Sequence, residues 1–213
     1  MESPFDRMTA EYDSWYDSDR GRPLYESELR CVEAILPARL HPMLEIGVGT
    51  GRFAMRFPGA FGLDPAPGPL KLAKARGIRC VCGAGESLPF RDGTFKTVLM
   101  VVTLCFVREP RAVFHEAARV LAPGGSMIIG LIPADSPWGM LYEKKKKEGN
   151  PFYRDAEFHK VSEVEKLARC SGLRIASVAS TLLQDPSGPA RFEEPVSYYV
   201  EGVGFVSLRL EKG

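Results

Sequence analysis

Apolar and polar positions along the chain change period several times, and each change marks an element. Residues 5–19 and 22–36 repeat their apolar side chains at helical spacing. In the second stretch Leu24, Leu29, Val32, Ile35 and Leu36 share a face, Gly21, Arg22 and Pro23 make the joint before it, and Pro37 stops it. From residue 41 the rhythm shortens. Residues 43–46 form a short apolar run ending in glycines, a helix-like stretch follows at 50–57, and 60–64 read as a second strand. A helix at 67–76 and a strand at 78–82 come next. Residues 97–104 are apolar but for their threonines, as in a strand buried on both faces. Residues 109–121 form an amphipathic helix with Val113, Phe114, Ala117, Val120 and Leu121 on one side. Pro123, Gly124 and Gly125 break it ahead of a second buried strand at 126–132.

Residues 133–160 interrupt this alternation. They hold Pro133, Pro137, Trp138, Tyr142, Phe152, Tyr153, Phe158 and four consecutive lysines, and read as an insertion over the sheet. A helix at 161–171, stopped by Gly172, leads into a strand at 173–179. A Pro- and Gly-rich loop spans 184–195, and a final strand at 198–210 is kinked around Gly202 and Gly204. Strands alternating with helices predict βαβ units, hence an α/β fold with a mostly parallel, doubly wound sheet. The 213 residues fit one elaborated domain spanning 1–213, with 1–36 as a helical cap and 133–160 as a lid.

Composition narrows the function classes. Lys and Arg number 28 against 27 Asp and Glu, a net charge of +1, which argues against a general phosphate-binding surface and so against nucleic acid. The run Lys144 to Lys147 is flanked by Glu143 and Glu148 and reads as a solvated helix face. No stretch reaches the roughly 18 apolar residues of a membrane span, and the acidic, aromatic start is unlike a secretory signal. Five cysteines without a CxxC predict reduced, mostly buried thiols in a cytoplasmic protein. Asn150 and Gln184 are the single residues of their types, beside 17 prolines, a depletion of thermolabile amides that points to a thermophilic source. No His/Cys/Asp/Glu spacing suits a metal, and no G-x-S-x-G elbow is present.

Chemistry concentrates at Glu45-Ile46-Gly47-Val48-Gly49-Thr50-Gly51, where the first strand turns toward a helix. Glycines there let a ligand approach the backbone, and free N–H groups face the crevice at the carboxyl ends of the strands. A dinucleotide fingerprint would place its third glycine at position 52, which is Arg52. An acid beside the loop repels a pyrophosphate and suits an amino group or other cation. Asp64 ends the second strand, where a carboxylate can accept from both hydroxyls of a ribose.

The segments LEIGVGTGRF (44–53), GLDPAPGPLKLAKARG (62–77), GESLPFRDGTF (85–95) and EAARVLAPGGSMII (116–129), with FDRMTAEYDSWYD (5–17), resemble class I S-adenosylmethionine-dependent methyltransferases. The resemblance covers residues 5–180 and is greatest to the small-molecule group that includes the ubiquinone/menaquinone-biosynthesis type. It implies a Rossmann-like sheet of seven strands, the last antiparallel, and S-adenosylmethionine as cofactor, leaving as S-adenosylhomocysteine. It also implies site residues. Gly47, Gly49 and Gly51 would floor the cofactor, Glu45 would lie near its methionine amino group, and Asp64, followed by Pro65, would hold the ribose diol. The family's adenine-binding Asp is replaced by Ala84, which leaves adenine to the backbone at Gly85, to apolar packing and to Glu86. Lys96 stands where relatives have Asp, and Cys105-Phe106 where many have His. Val101, Val102 and Thr103 would line the floor beneath the reacting methyl. Of the aromatic residues, Tyr12 and Trp15 are expected at the cofactor, and Trp138 and Tyr142, with Thr103, at a small-molecule acceptor. Methyl transfer from a sulfonium needs alignment and desolvation before it needs a base, and none of His41, His115 and His159 stands out as one. An RNA or protein methyltransferase and a non-catalytic cofactor-binding protein remain the alternatives, while Arg52 disfavours a nicotinamide oxidoreductase.

Overall fold

The computed structural model describes residues 4–212. Seven strands, β1 (Met43–Ile46), β2 (Phe61–Asp64), β3 (Arg79–Cys82), β4 (Phe95–Val101), β5 (Leu121–Leu131), β6 (Leu173–Thr181) and β7 (Phe205–Lys212), build one sheet in the order β3-β2-β1-β4-β5-β7-β6. β1 to β5 pair in parallel, and β7 runs antiparallel between β5 and β6. The strand order reverses between β1 and β4, so a crevice opens where their carboxyl ends diverge, the place where open α/β sheets bind ligands.

The helices are α1 (Pro4–Arg7), α2 (Thr9–Trp15), α3 (Gly21–Glu33), α4 (Pro67–Ala75), α5 (Pro110–Val120), α6 (Pro137–Lys147) and α7 (Val161–Cys170). Alternation along β4 sorts them into two layers. Val98 and Met100 face the layer of α5 and α7, with Phe114, Ala117, Val164 and Ala168. Leu99 and Val101 face the layer of α3 and α4, with Leu24, Val32, Leu70 and Ala73, and the lid residues Trp138 and Tyr142 join that side. The fully buried Phe95, Phe114 and Phe205 each contribute about 1.5–3 kcal/mol by leaving water.

Several expectations are corrected. Residues 50–57 hold only a short 3-10 turn, Ala54–Arg56, because the left-handed Gly51 (φ +86°) and a non-helical Phe57 leave room for a single turn. The helix expected at 5–19 breaks at Met8 into α1 and α2 and ends at Trp15. β4 stops at Val101, where Val102 turns left-handed (φ +47°), so Thr103 and Leu104 lie outside the strand. The last strand starts at Phe205 rather than 198. The chain before it turns at Gly202 (φ +74°), and the Gly204 amide donates to the Leu182 carbonyl instead of joining a ladder. Of the cysteines, Cys31 and Cys105 are buried while Cys82 and Cys170 are exposed. No helix among the described residues is long and apolar enough to cross a membrane.

Candidate active site

The loop after β1 is held by hydrogen bonds that only its unusual backbone permits. The amides of Gly47 and Val48 both donate to the Leu63 carbonyl of β2, at 2.7 and 3.0 Å. Gly47 has φ +73°, and a side chain there would collide with Thr103. Thr103 in turn donates to the Gly47 carbonyl at 3.2 Å and to that of Val101 at 3.0 Å, which ties the turn after β4 to the loop. Gly49, also left-handed, has nothing within 4 Å of where a side chain would begin, so its open face is free for a ligand. Asp64 accepts the Gly49 amide with one carboxylate oxygen and the Ala66 amide with the other. Burial raises its pKa, and those two amides oppose the rise.

Glu45 lies beneath this loop, 2% exposed, and its Oε2 has no hydrogen-bond partner. Burial pushes its pKa well above the usual carboxylate range. A hydrogen bond from the Ala54 backbone opposes the shift, and the negative charge of Asp64 adds to it. A buried acceptor left bare is costly unless something completes it. Beyond the Val102 turn, at the carboxyl ends of β4 and β5, a narrow cleft is lined by Val102, Leu104, Cys105, Gly130, Leu131, Ile132, Phe158 and His159. The His159 Nε2 is buried there without a partner, so this histidine at the border of the insertion reaches the crevice.

Arg52 is more than an absent glycine. Its guanidinium donates to both oxygens of Asp13 at 2.9 and 2.8 Å and to both of Asp17 at 2.9 and 2.6 Å. Arg76 adds bonds to Asp13 at 2.9 and 2.7 Å and to the Thr50 carbonyl at 2.6 Å. These bonds clamp the N-terminal cap to the glycine loop. The Asp6 carboxylate also accepts the Gly68 amide at 2.8 Å, so α1 rests on the start of α4. On the far side, Glu116 of α5 accepts the Leu88 amide at 2.7 Å, while Arg119 donates to the carbonyls of Leu88 and Phe90. That holds the segment carrying Gly85 and Glu86. Gly85 is buried with no space for a side chain, since one would meet Ile46 at 2.9 Å, while Glu86 is half-buried and Pro65 exposed.

The aromatic residues divide differently from expectation. Tyr12 packs edge-on against Phe5 and Tyr16 and hydrogen-bonds the Tyr16 hydroxyl at 2.8 Å. Trp15 joins this group only at its outer edge, packing edge-on against Tyr16 with ring centroids 5.2 Å apart. It sits 37% exposed at the corner between α2 and α3, and Tyr16 takes the inner place, its ring under the Arg52 guanidinium. Trp138 is 3% exposed, its N–H donates to the Gln184 carbonyl at 3.0 Å and its ring edge packs over Gly204, so it anchors the lid. Tyr142 stacks on Phe158 and meets Tyr153 at a tilt in the inner lid. The lysine run is only partly a solvated face. Lys145 lies over the rings of Tyr142 and Tyr153, and Lys146 donates to the Ala156 carbonyl. Among the described residues no group of three or more His, Cys, Asp or Glu could hold a metal.

Comparisons with known proteins fit this geometry. Residues 44–129 match the family model described as a methyltransferase domain. An uncharacterized protein of Mycobacterium tuberculosis is 42% identical over 204 residues, which is 95% of this chain and 71% of that protein. A crystal structure from Thermotoga maritima superposes with a TM-score of 0.89 at 37% identity, covering 98% of both chains; it is described as an S-adenosylmethionine-dependent methyltransferase and "possible histamine N-methyltransferase". A demethylmenaquinone methyltransferase of Renibacterium salmoninarum is 31% identical over 108 residues, 47% of this chain and 46% of that one.

Proposed function

The chain belongs to the S-adenosylmethionine-dependent methyltransferases, and we propose that it methylates a small molecule held between the N-terminal cap and the 133–160 lid. The cofactor supplies a methyl group already activated on a sulfonium. The residues that would hold it fit its chemistry. The bare Glu45 Oε2 is the acceptor that an ammonium group would complete, and it is the observation that carries the reading. Asp64, at the end of β2 and oriented by two amides, would receive the ribose hydroxyls. The open face of Gly49 would admit the cofactor's backbone-hugging portion, with Gly47 and Gly51 shaping the floor. Gly85 and Glu86 would flank the adenine, and Tyr12 would cover it from the cap.

Two features favour a small acceptor. The ends of β4 and β5 meet in a narrow cleft, and Phe5 and Tyr12 of the cap pack against Phe106 of the turn after β4 and Phe152 of the lid. The Thermotoga maritima relative, by its description, would also act on a small molecule. Exclusion of water here strengthens every charge interaction at the reacting atoms. The test is calorimetry with S-adenosylhomocysteine, followed by assay of its release from S-adenosylmethionine with small acceptors, peptides and RNA offered separately. Release with small molecules alone is expected. Release dependent on RNA or peptide would overturn the acceptor class, and failure to bind S-adenosylhomocysteine would overturn the cofactor site.

A further inference from the structure

His159 lines the cleft at the carboxyl ends of β4 and β5, with Val102, Leu104, Ile132 and Phe158 among its apolar walls. The chain that carries it is tied at two points. The Ala134 amide, just after β5, donates to the His159 carbonyl at 3.0 Å, and the Glu157 amide donates to the Cys105 carbonyl at 2.7 Å. The His159 side chain is 14% exposed, yet its Nε2 is buried with no hydrogen-bond partner. Cys105, the other polar side chain of the lining, donates its thiol to the Val102 carbonyl at 3.7 Å and leaves Nε2 bare. Nδ1 faces Glu163, whose Oε2 lies 3.8 Å away and is itself held at 2.8 Å by the Lys160 amide. A carboxylate on that side draws the ring proton to Nδ1, so Nε2 presents a lone pair to the cleft. The cleft also carries strain. Val102 is left-handed at φ +47°, which a β-branched side chain rarely adopts, and strain of this kind gathers at functional sites. The next residue, Thr103, donates to the Gly47 carbonyl at 3.2 Å, so the cleft wall adjoins the glycine loop.

We propose that His159 is a catalytic residue whose Nε2 receives the hydroxyl of a neutral alcohol acceptor and takes its proton, which specifies the acceptor class of the methyl-transfer reading above and rests on it. A single bare acceptor in an apolar wall matches a ligand with a single donor and no charge. An ammonium would bring three donors and a charge, and among the described residues no carboxylate lines the cleft. A carboxylate would bring no donor to Nε2. A hydroxyl also needs a base. Methylated without losing its proton, the oxygen would carry a positive charge as an oxonium. With His159 the O–H bond breaks as an N–H bond forms at Nε2, and the O–H electron pair stays on oxygen. The oxygen bonds the methyl carbon, whose former bonding pair leaves with sulfur. The positive charge ends on the imidazole, and Glu163 faces its other nitrogen. Glu163 is in this scheme a positioning residue, and its own place is secured by the Lys160 amide. Imidazole is the commonest general base, and such proton transfer contributes roughly 100- to 10,000-fold.

The first readout needs no acceptor. Nitrogen NMR of histidine-labelled protein in mildly alkaline buffer, with His159 assigned by its loss in His159→Phe, is expected to show a proton on Nδ1 and none on Nε2. Glu163→Gln, which keeps an oxygen for the Lys160 amide, should move the ring toward the Nε2–H form. A parent ring protonated at Nε2 would overturn the proposal. The second readout is calorimetry on protein saturated with S-adenosylhomocysteine, using two matched sets of probes: benzyl alcohol, benzylamine, benzoate and benzyl methyl ether, and cyclohexanol, cyclohexylamine, cyclohexanecarboxylate and methoxycyclohexane. In at least one set the alcohol is expected to bind about 10-fold tighter than the other three and to shift the Nε2 signal, and both effects to vanish in His159→Phe. Absence of an alcohol preference in both sets, or its survival in His159→Phe, would overturn the proposal. In the release assay, kcat for the alcohol that the parent turns over should fall about 100-fold or more in His159→Phe, with S-adenosylhomocysteine affinity unchanged. An unchanged kcat, or turnover of the amine and not the alcohol, would overturn it. Should His159→Phe fail to fold, His159→Leu supplies each comparison. S-adenosylhomocysteine affinity, measured first, separates the two readings. If that ligand binds and the alcohol preference is absent, only the hydroxyl assignment falls. If that ligand does not bind, the methyl-transfer reading falls too.

Discussion

The Asp64 carboxylate accepts the Gly49 amide at 2.9 Å and the Ala66 amide at 2.8 Å, so one side chain at the end of β2 fixes both the glycine loop and the start of the next helix. Each oxygen keeps lone-pair capacity for a further donor. Asp64→Ala removes a charged acceptor for the ribose and a brace for Gly49 together. Hydrogen bonds to charged groups are worth about 1.5–3 kcal/mol, so S-adenosylhomocysteine affinity should fall roughly 10- to 150-fold by calorimetry. Asp64→Asn keeps an acceptor for one amide and should lose less. An unchanged affinity in Asp64→Ala would remove this residue from the site.

Gly47 is constrained twice, and the two constraints separate. Its φ of +73° disfavours any side chain by about 1–2 kcal/mol. A methyl group there would also strike Thr103. Gly47→Ala is expected to lower the thermal midpoint and to weaken S-adenosylhomocysteine binding severely. Adding Thr103→Ala removes the hydroxyl and methyl of that neighbour but leaves its Cβ at 2.8 Å and the backbone strain untouched. The double variant should therefore regain part of the midpoint and not all of it. Full recovery would mean that the left-handed turn costs nothing.

Asp13 stands between Arg52 and Arg76, with oxygen–nitrogen distances of 2.8 and 2.7 Å and little exposure on any of the three. Burial works to raise its pKa, but hydrogen bonds from Arg76 and Arg52 dominate and hold it well below the usual range. A depressed carboxyl pKa contributes stability that is present above the unfolded value, about 3.9, and lost as pH falls through the folded one. Asp13→Asn should cost about 1–3 kcal/mol at pH 7, a fall of several degrees in midpoint. The gap to the parent protein should narrow on acidification below about pH 4. A gap that stays constant with pH would show that packing, and not the charge, ties the cap to the loop.

How far the sequence discloses these features depends on the range of the interaction. The strands β1 to β5, the glycine loop and Asp64 are legible because their signals are local: apolar runs, glycines at a strand end and a carboxylate at the next strand end. Arg52 is not, because its partners Asp13 and Asp17 stand 39 and 35 positions away, with no periodicity linking them. Tyr198, Tyr199, Val200 and Val203 have strand-like composition, yet Gly204 is drawn beneath Trp138 and the ladder starts one residue later. Trp138 and Trp15 carry the same aromatic signal and have opposite fates, one sealed under the lid and the other at an outer corner. Glu28 did leave a local trace. It stands four residues from both Leu24 and Val32, a charge inside the apolar stripe of α3.

That position makes Glu28 a cost to stability, and the cost depends on pH. Its folded pKa, pushed up by burial to about 8, exceeds the unfolded value of about 4.3. Between those values the folded protein holds a proton that the unfolded chain has released, so stability falls as pH rises from about 4 to 8 and levels off above. The titratable groups on which its charge acts are Tyr12 of α2, Tyr16 just after that helix, Cys31 of its own helix and Tyr142 of α6, and burial raises the pKa of each above its ordinary value. None of them titrates in that window. Glu28→Gln carries no proton to lose, so it should match the parent near pH 4 and exceed its thermal midpoint by roughly 5 °C or more at pH 8. A Glu28→Gln midpoint below the parent's at pH 8 would mean that the carboxylate already has a partner.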